Sequence, residues 1–409
     1  MNNSSPINWD WRSLADVIET DQIALGRGNV ISKVDIENHP GDYPIYSSSA
    51  SATGMFGRYG RYMFDEELIT WSVDGGGKPF YRPKHKFSVT NVCGFLKIKD
   101  SGRWDYRFVA AIMREQHRTL SFDWLLKAHP SVIRDLYRLP RIPLREQQRI
   151  AEILDSLDDQ IRVTEKLLVK HQIMRRGLVD NLLSRGVHET GQLRNPITHP
   201  ELFSSTTFGY YPSSWSIRRL AELVSLPNGQ VDPRVAPYSE MTLIAPDHVG
   251  SGTGELLQRV SARDQEAISG KYLFQPGDVI YSKIRPYLRK AVLASEVGIC
   301  SADMYPLRPS DDMNPHFLLA IVLGENFSRF AESVSMRTGI PKLNRREFEE
   351  YSLVVPPRLE QDVIVGHFYS IDSQIDTETR LLHKLRLQKS GLMSDLLTGN
   401  VRVPLEATP

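Results

Sequence analysis

The residues that could do chemistry are sparse, and their spacing fails each common reaction in turn. The nearest thing to a nucleotide-hydrolysing phosphate loop, Gly75-Gly76-Gly77-Lys78, runs into Pro79, which has no hydroxyl to hold magnesium. An enzyme that methylates the amino group of adenine or cytosine is expected to carry an Asn/Asp/Ser-Pro-Pro-Tyr/Phe segment, and here the one Pro-Pro pair, Pro356-Pro357, is followed by Arg358. A PD-(D/E)xK nuclease needs an acid two residues before a lysine, and no Asp-x-Lys or Glu-x-Lys occurs. The eleven histidines form no H-E-x-x-H set, and no serine lies in a G-x-S-x-G elbow. Cys93 and Cys300 are too few and too separated for a C-x-x-C metal site or a disulfide framework. The expectation is a binding protein without catalytic residues, metal or cofactor of its own.

What it binds is indicated by where charge lacks a counter-charge. With 50 Lys+Arg against 49 Asp+Glu the net charge is only +1, so local windows must decide. Gly75 to Lys99 contains no acid but carries Lys78, Arg82, Lys84, Lys86, Lys97 and Lys99 among Phe80, Tyr81 and Phe87. Val279 to Ser295 is also acid-free and carries Lys283, Arg285, Arg289 and Lys290 beside Tyr281 and Tyr287. Clustered cations gain from regularly spaced phosphates through counterion release, and arginine can bond guanine edges in a groove. One such window is as well explained by a solvated basic hairpin; two in matching places favour double-stranded DNA. Lys342 with Arg345 and Arg346, after the turn "RTGIPKLN", and Arg27, Arg58 and Arg61 in glycine-rich loops are further candidates for which plain surface charge is the simpler reading.

The elements that position these windows come in two copies. Ile142 to Val187 matches Pro356 to Val401 without a gap at an offset of 214, with 16 of 46 positions identical, among them Glu146/Glu360, Gln147/Gln361, Asp158/Asp372 and Gly177/Gly391. A second echo joins "WDWRSLADV" at Trp9 to "WSIRRLAEL" at Trp215. In the repeat, Ile150, Leu154, Leu157, Ile161 and Leu168 in one copy, and Ile364, Phe368, Ile371, Ile375 and Leu382 in the other, keep the 3-4 spacing of a coiled-coil seam. Cations replace the seam at Arg175 and Lys389, two residues before Gly177 and Gly391, which predicts a kink or a change of facing partner there. Short β-rich runs (Glu67 to Val73, Lys86 to Val92, Gly277 to Ile284) alternate with turns, and helices are expected from Tyr106 and over Pro315 to Val334.

The reading is an α+β chain: two mixed α/β domains, 1–140 and 214–355, each followed by a repeat helix, 141–187 and 356–403, with 188–213 as the linker and start of the second domain and a tail at 404–409. If each helix leaves one globule for the other, the two run antiparallel as a spacer with a pseudo-twofold internal repeat. A composition of 41% hydrophobic and 24% charged residues and a mean hydropathy of −0.33 fit a globular protein. The longest apolar run, "FLLAIVLG" from Phe317, is too short to span a bilayer, so no membrane is expected. A polar start and two cysteines suit the cytoplasm.

The order of parts and several strings resemble the specificity subunit of type I restriction-modification enzymes. They are "IPLREQQRIAEILDSLDDQI" from Ile142, "VPPRLEQDVIVGHFYSIDSQI" from Val355, "GYYPSSWSIRRLAELV" from Gly209, "GDVIYSKIRPYLRKAVL" from Gly277 and "GLMSDLLTGNVRV" from Gly391. The likeness covers nearly the whole chain, departing at Leu139-Pro140-Arg141-Ile142-Pro143, where the family prefers a Pro-Pro-Leu-x-Glu-Gln form. It implies two target-recognition domains that each read half of a bipartite, asymmetric DNA site, with the repeated helices docking two modification subunits. It also implies that S-adenosylmethionine, ATP and magnesium act on those adenine-methylating partners and on motor-nuclease restriction subunits. The competing expectations are a coiled-coil protein-interaction scaffold without DNA binding, which predicts salt-insensitive association, and a self-sufficient methyltransferase, which would bind S-adenosylmethionine alone.

Overall fold

A computed structural model describes residues 9–48, 54–120, 127–335 and 341–404. The chain divides into two compact units, Met1–Lys166 with Thr379–Pro409, and Leu167–Glu378. Each unit combines a mixed α/β globule with a segment of both repeat helices.

In the first unit, Trp11–Ser13 pairs antiparallel with Arg138–Pro140, closing the globule just before the first long helix begins at Leu144. Between them lies a six-stranded sheet in the order Ile23–Arg27, Cys93–Ile98, Phe64–Ser72, Pro79–Val89, Tyr43–Tyr46, Met55–Tyr59. The central strand Phe64–Ser72 is buried on both faces from Leu68 onward. Helix Tyr106–Thr119 contributes Phe108, Val109, Ile112 and Met113 to the core that holds Ile69 and Trp71. That helix starts where the Asp105 carboxylate accepts the backbone N–H groups of Arg107 and Phe108. Gly94 must lack a side chain: a Cβ there would lie 2.2 Å from the Trp71 ring, whose indole N–H donates to the Ala128 carbonyl at 2.7 Å.

The second unit is closed the same way, by Ser216–Arg219 against Ser352–Val355. Its globule carries a four-stranded sheet (Val224–Ser225, Met304–Pro309, Val279–Ser282, Ala291–Leu293) and a three-stranded one (Thr242–Ile244, Gly298–Cys300, Tyr272–Phe274). The helix expected over Pro315 to Val334 is two helices, Pro315–Leu323 and Glu325–Ser335. Gly324 separates them in an extended conformation, its N–H still bonded to the Ile321 carbonyl. Within the stretch 188–213, Phe203–Thr206 and Gly209–Pro212 form a hairpin.

The repeat helices are Leu144–Arg185 and Arg358–Leu396, of 42 and 39 residues, roughly 60 Å each at 1.5 Å per residue. Both remain helical through Gly177 and Gly391, the positions where the sequence predicts a kink or a change of facing partner. Equivalent positions do equivalent work. Ile150, Leu154 and Leu396 join the core of the first unit, and their counterparts Ile364, Phe368 and Leu182 join that of the second. Of the remaining seam positions Ile371 and Leu382 are buried, and Leu157, Ile161, Leu168 and Ile375 half-buried. The seam cations are met by acids, Lys389 by Asp158 in the first unit and Arg175 by Asp372 in the second; outside the seam Arg386 pairs with Glu165.

Arginine-paired carboxylates fix both helix starts. Glu146, 1% exposed, accepts two bonds from Arg402 at 2.7 and 3.0 Å. Glu360 accepts the Val187 N–H at 3.0 Å, the Trp215 indole N–H at 3.2 Å and the Arg194 guanidinium. An anion near a helix N-terminus is favoured by the helix dipole, and the arginine compensates its loss of water. Next in sequence, Gln147 accepts the Asp105 N–H and donates to the carbonyls of Arg103 and Ile142, while Gln361 accepts the Asn314 N–H and donates to those of Asp312 and Pro356.

Candidate nucleic-acid interface

In the first unit the acid-free window becomes the strand Pro79–Val89, the turn before it and the neighbouring strand Cys93–Ile98. Lys78 and Lys84 are exposed. Lys86 is half-buried, its ammonium 4.8 Å from the Tyr62 ring centre and 5.7 Å from that of Tyr43, with the two rings edge to face at 5.3 Å. Such a shelf holds a cation outward without neutralising it.

Other members of the window have structural duties. Lys97 pairs with Glu66 and Lys99 with Asp21. Arg82, 8% exposed, turns inward: its guanidinium lies 3.6 Å from the Tyr46 ring centre and its Nε donates to Thr70 at 2.9 Å. Burial lowers its pKa. Its place among the exposed DNA-facing residues is thus not what the sequence suggests, because the neighbouring aromatics that resemble a nucleic-acid platform are here its packing partners. Arg27 and Arg58 are tied to the carbonyls of Asn91 and Asp42. The exposed Phe56 and Tyr62 lie outside both basic windows; they flank the glycine-rich stretch Gly57-Arg58-Tyr59-Gly60-Arg61, whose aromatic content is the sequence signal for them.

In the second unit the window is built differently. Strand Val279–Ser282 leads to a tight 3-10 turn, Pro286–Leu288, flanked by Arg285 at φ 49° and Arg289 at φ 47°. Non-glycine residues in the left-handed region are strained, and that strain is held here by the main chain. The Arg285 N–H donates to the Pro341 carbonyl, the Leu288 N–H to that of Arg285, the Arg289 N–H to that of Pro286, and the Gly252 N–H to that of Arg289. Pro286 is buried while Tyr287 is 53% exposed. The side chains of Arg285 and Arg289 are exposed, with no hydrogen bond or ion pair to any described residue. Lys290 instead folds back onto the Pro246 carbonyl at 2.6 Å.

Beside the turn, Ile284 bridges to Lys342, so the second basic segment meets the first. Lys283 is 7% exposed, its ammonium 4.8 Å from the Tyr305 ring centre. Burial, then the nearby Lys342, push its pKa down. Arg345 is close enough to add to that repulsion and is held by Asn228 and the Pro227 carbonyl. Of the turn "RTGIPKLN", residues 337–340 lie outside the described residues.

Residues 6–170 and 212–387, the parts that contain both basic surfaces and most of both helices, match the family model for the type I restriction modification DNA specificity domain. The chain belongs to this family. It is 29% identical to the EcoDI specificity subunit of Escherichia coli over 98% of its own length and 90% of that protein. It is 23% identical to the MjaVIII specificity subunit of Methanocaldococcus jannaschii over 90% of this chain and 88% of that one. The S subunit of a type I restriction-modification system from M. genitalium shares the fold with a TM-score of 0.61, at 15% identity, over 97% of this chain and 98% of that one. A chain from a structural study of type I complex assembly and conformational transition gives 0.55 at 15% identity, over 98% and 100%.

A specificity protein of this family recognises DNA, and catalysis lies in its partner subunits. Among the described residues no cluster of three or more His, Cys, Asp or Glu could hold a metal, and no helix is long and apolar enough to cross a membrane. Cys93 and Cys300 are buried, and burial drives both thiols upward in pKa, the opposite of a reactive cysteine.

Proposed function

We propose that the chain reads a bipartite, asymmetric DNA site through two target-recognition domains, 1–140 and 214–355, and that the repeat helices are an antiparallel coiled-coil spacer setting the distance between the half-sites. The observation that carries this reading is that repeat-equivalent residues anchor both units while the basic elements on them differ. A pseudo-twofold relation is supported by pairing in both directions, Asp158 with Lys389 and its counterpart Asp372 with Arg175. Lys78, Lys84 and Lys86 serve the first half-site. Arg285 and Arg289, with Lys283, Lys290, Lys342 and Arg345 behind them, serve the second. Arg82 acts by positioning the sheet rather than by touching DNA.

Two modification subunits dock on the helix faces outside the seam, and restriction subunits join them. S-adenosylmethionine, ATP and magnesium bind those partners. The test is a map of methylated adenines in the host genome. The reading expects two unlike half-sites separated by a fixed number of unspecified base pairs; a continuous or palindromic site would contradict it.

A further inference from the structure

The second globule holds cations in two ways. Arg285, Tyr287 and Arg289 project from a strained turn and are free to enter a groove. Lys283 is not. It is nine-tenths buried, its ammonium lies over Tyr305, and its backbone is fixed from both sides, with the N–H donating to the Asp303 carbonyl and the carbonyl accepting from Leu343. No described residue gives its ammonium a hydrogen bond or an ion pair. Lys342 sits beside it, bridged to Ile284, and Arg345 lies near enough to repel it while anchored elsewhere. The acid that faces this group is Asp303, whose carbonyl also accepts the Lys283 N–H.

Cations held together with so little compensation raise the free energy of the empty site, and an anion that arrives there relieves it. Reach decides which anion. A buried lysine cannot extend into a major groove about 8.5 Å deep to touch base edges. A phosphate, on the outer rim of the duplex, can be brought to it, and an ammonium is a point charge suited to that role.

We propose that Lys283 and Lys342 form a seat for a single DNA phosphate, which fixes the register of the second recognition domain on the duplex without selecting a base. This rests on the DNA-reading function above. The seat sets position, and the adjoining Arg285–Arg289 turn is left to discriminate sequence.

The test uses the full-length chain with its modification subunits, on a duplex carrying its own site and on an unrelated duplex, across a salt series. Lys283→Gln is expected to lower the slope of log affinity against log salt by about 0.9, one phosphate contact, on both duplexes. Lys283→Arg restores the slope, and the methylated sequence in cells is unchanged in both variants. Lys342→Gln, at an exposed position, gives the same signature in case Lys283→Gln fails to fold. A changed base preference in the second half-site, or an unaltered slope in Lys283→Gln and Lys342→Gln, overturns the seat. Inorganic phosphate that binds at Lys283 and stays bound when the duplex is saturating marks a free-anion site and also overturns it. Salt-insensitive binding by the unmodified complex would instead sink the DNA-reading function itself.

Discussion

The two basic surfaces differ more than the frames that carry them. In the first unit, cations lie along a strand of a six-stranded sheet, where Lys86 rests on Tyr43 and Tyr62 while Lys97 and Lys99 are matched by acids. In the second, a turn with two left-handed arginines projects past a buried lysine. Below both, the helix starts are built alike: a glutamate met by an arginine, a glutamine bridging to a helix cap, and apolar residues at the same repeat positions. The contrast teaches that the frame is constrained by packing, where volume and buried charge must match, whereas a recognition surface needs only exposed cations on a rigid backbone.

If frame and reader are separable, exchanging residues 1–140 for the first domain of another family member should replace one half-site entirely and leave the other unchanged, as read by mapping methylated sites. Change in both halves would break the separation. Next in size is the frame. Arg402→Ala leaves Glu146 buried without its partner and should cost about 3 kcal/mol in chemical denaturation, approaching the lower end for a broken buried pair because Arg402 is itself half exposed. Glu146→Gln in the same background should recover part of that loss.

On the reader, Arg285→Ala should weaken binding to the cognate site by about 1–3 kcal/mol and relax preference in the second half-site only, measured by titration against single-base variants. The smallest effect belongs to the paired positions along the helices. A cycle of Asp158→Ala and Lys389→Ala should give a coupling of about 0.5 kcal/mol, since both groups are partly exposed and screened, and Asp372→Ala with Arg175→Ala should give a similar value. Coupling in one pair but not the other would sharpen the comparison by showing that the frame too has diverged.

The sequence revealed the frame because periodicity and repetition record packing. Ile150, Leu154, Ile364 and Phe368 were legible from 3-4 spacing and are buried. Arg175 and Lys389 were legible as anomalies in the seam, but not their aspartate partners, since residues that pair across two different helices are far apart in sequence. The reader was only half legible. Charge windows could not distinguish Lys84, which is exposed, from Arg82, which is buried against Tyr46, because a register shift between Arg82 and His85 breaks the alternation that would place both on one face, and the sheet's covering is set by distant segments. The left-handed pair at Arg285 and Arg289 left no glycine to announce it; the hydrogen bonds that hold it come from Pro341 and Gly252.

The central claim is that a duplicated helical frame sets the spacing of two unlike readers on one duplex. The direct measurement removes seven residues, two helical turns, from equivalent positions in both Leu144–Arg185 and Arg358–Leu396 and maps methylated sites in cells carrying the shortened chain. The account predicts the same two half-sites with fewer base pairs between them. An unchanged separation in a folded, active complex would contradict it.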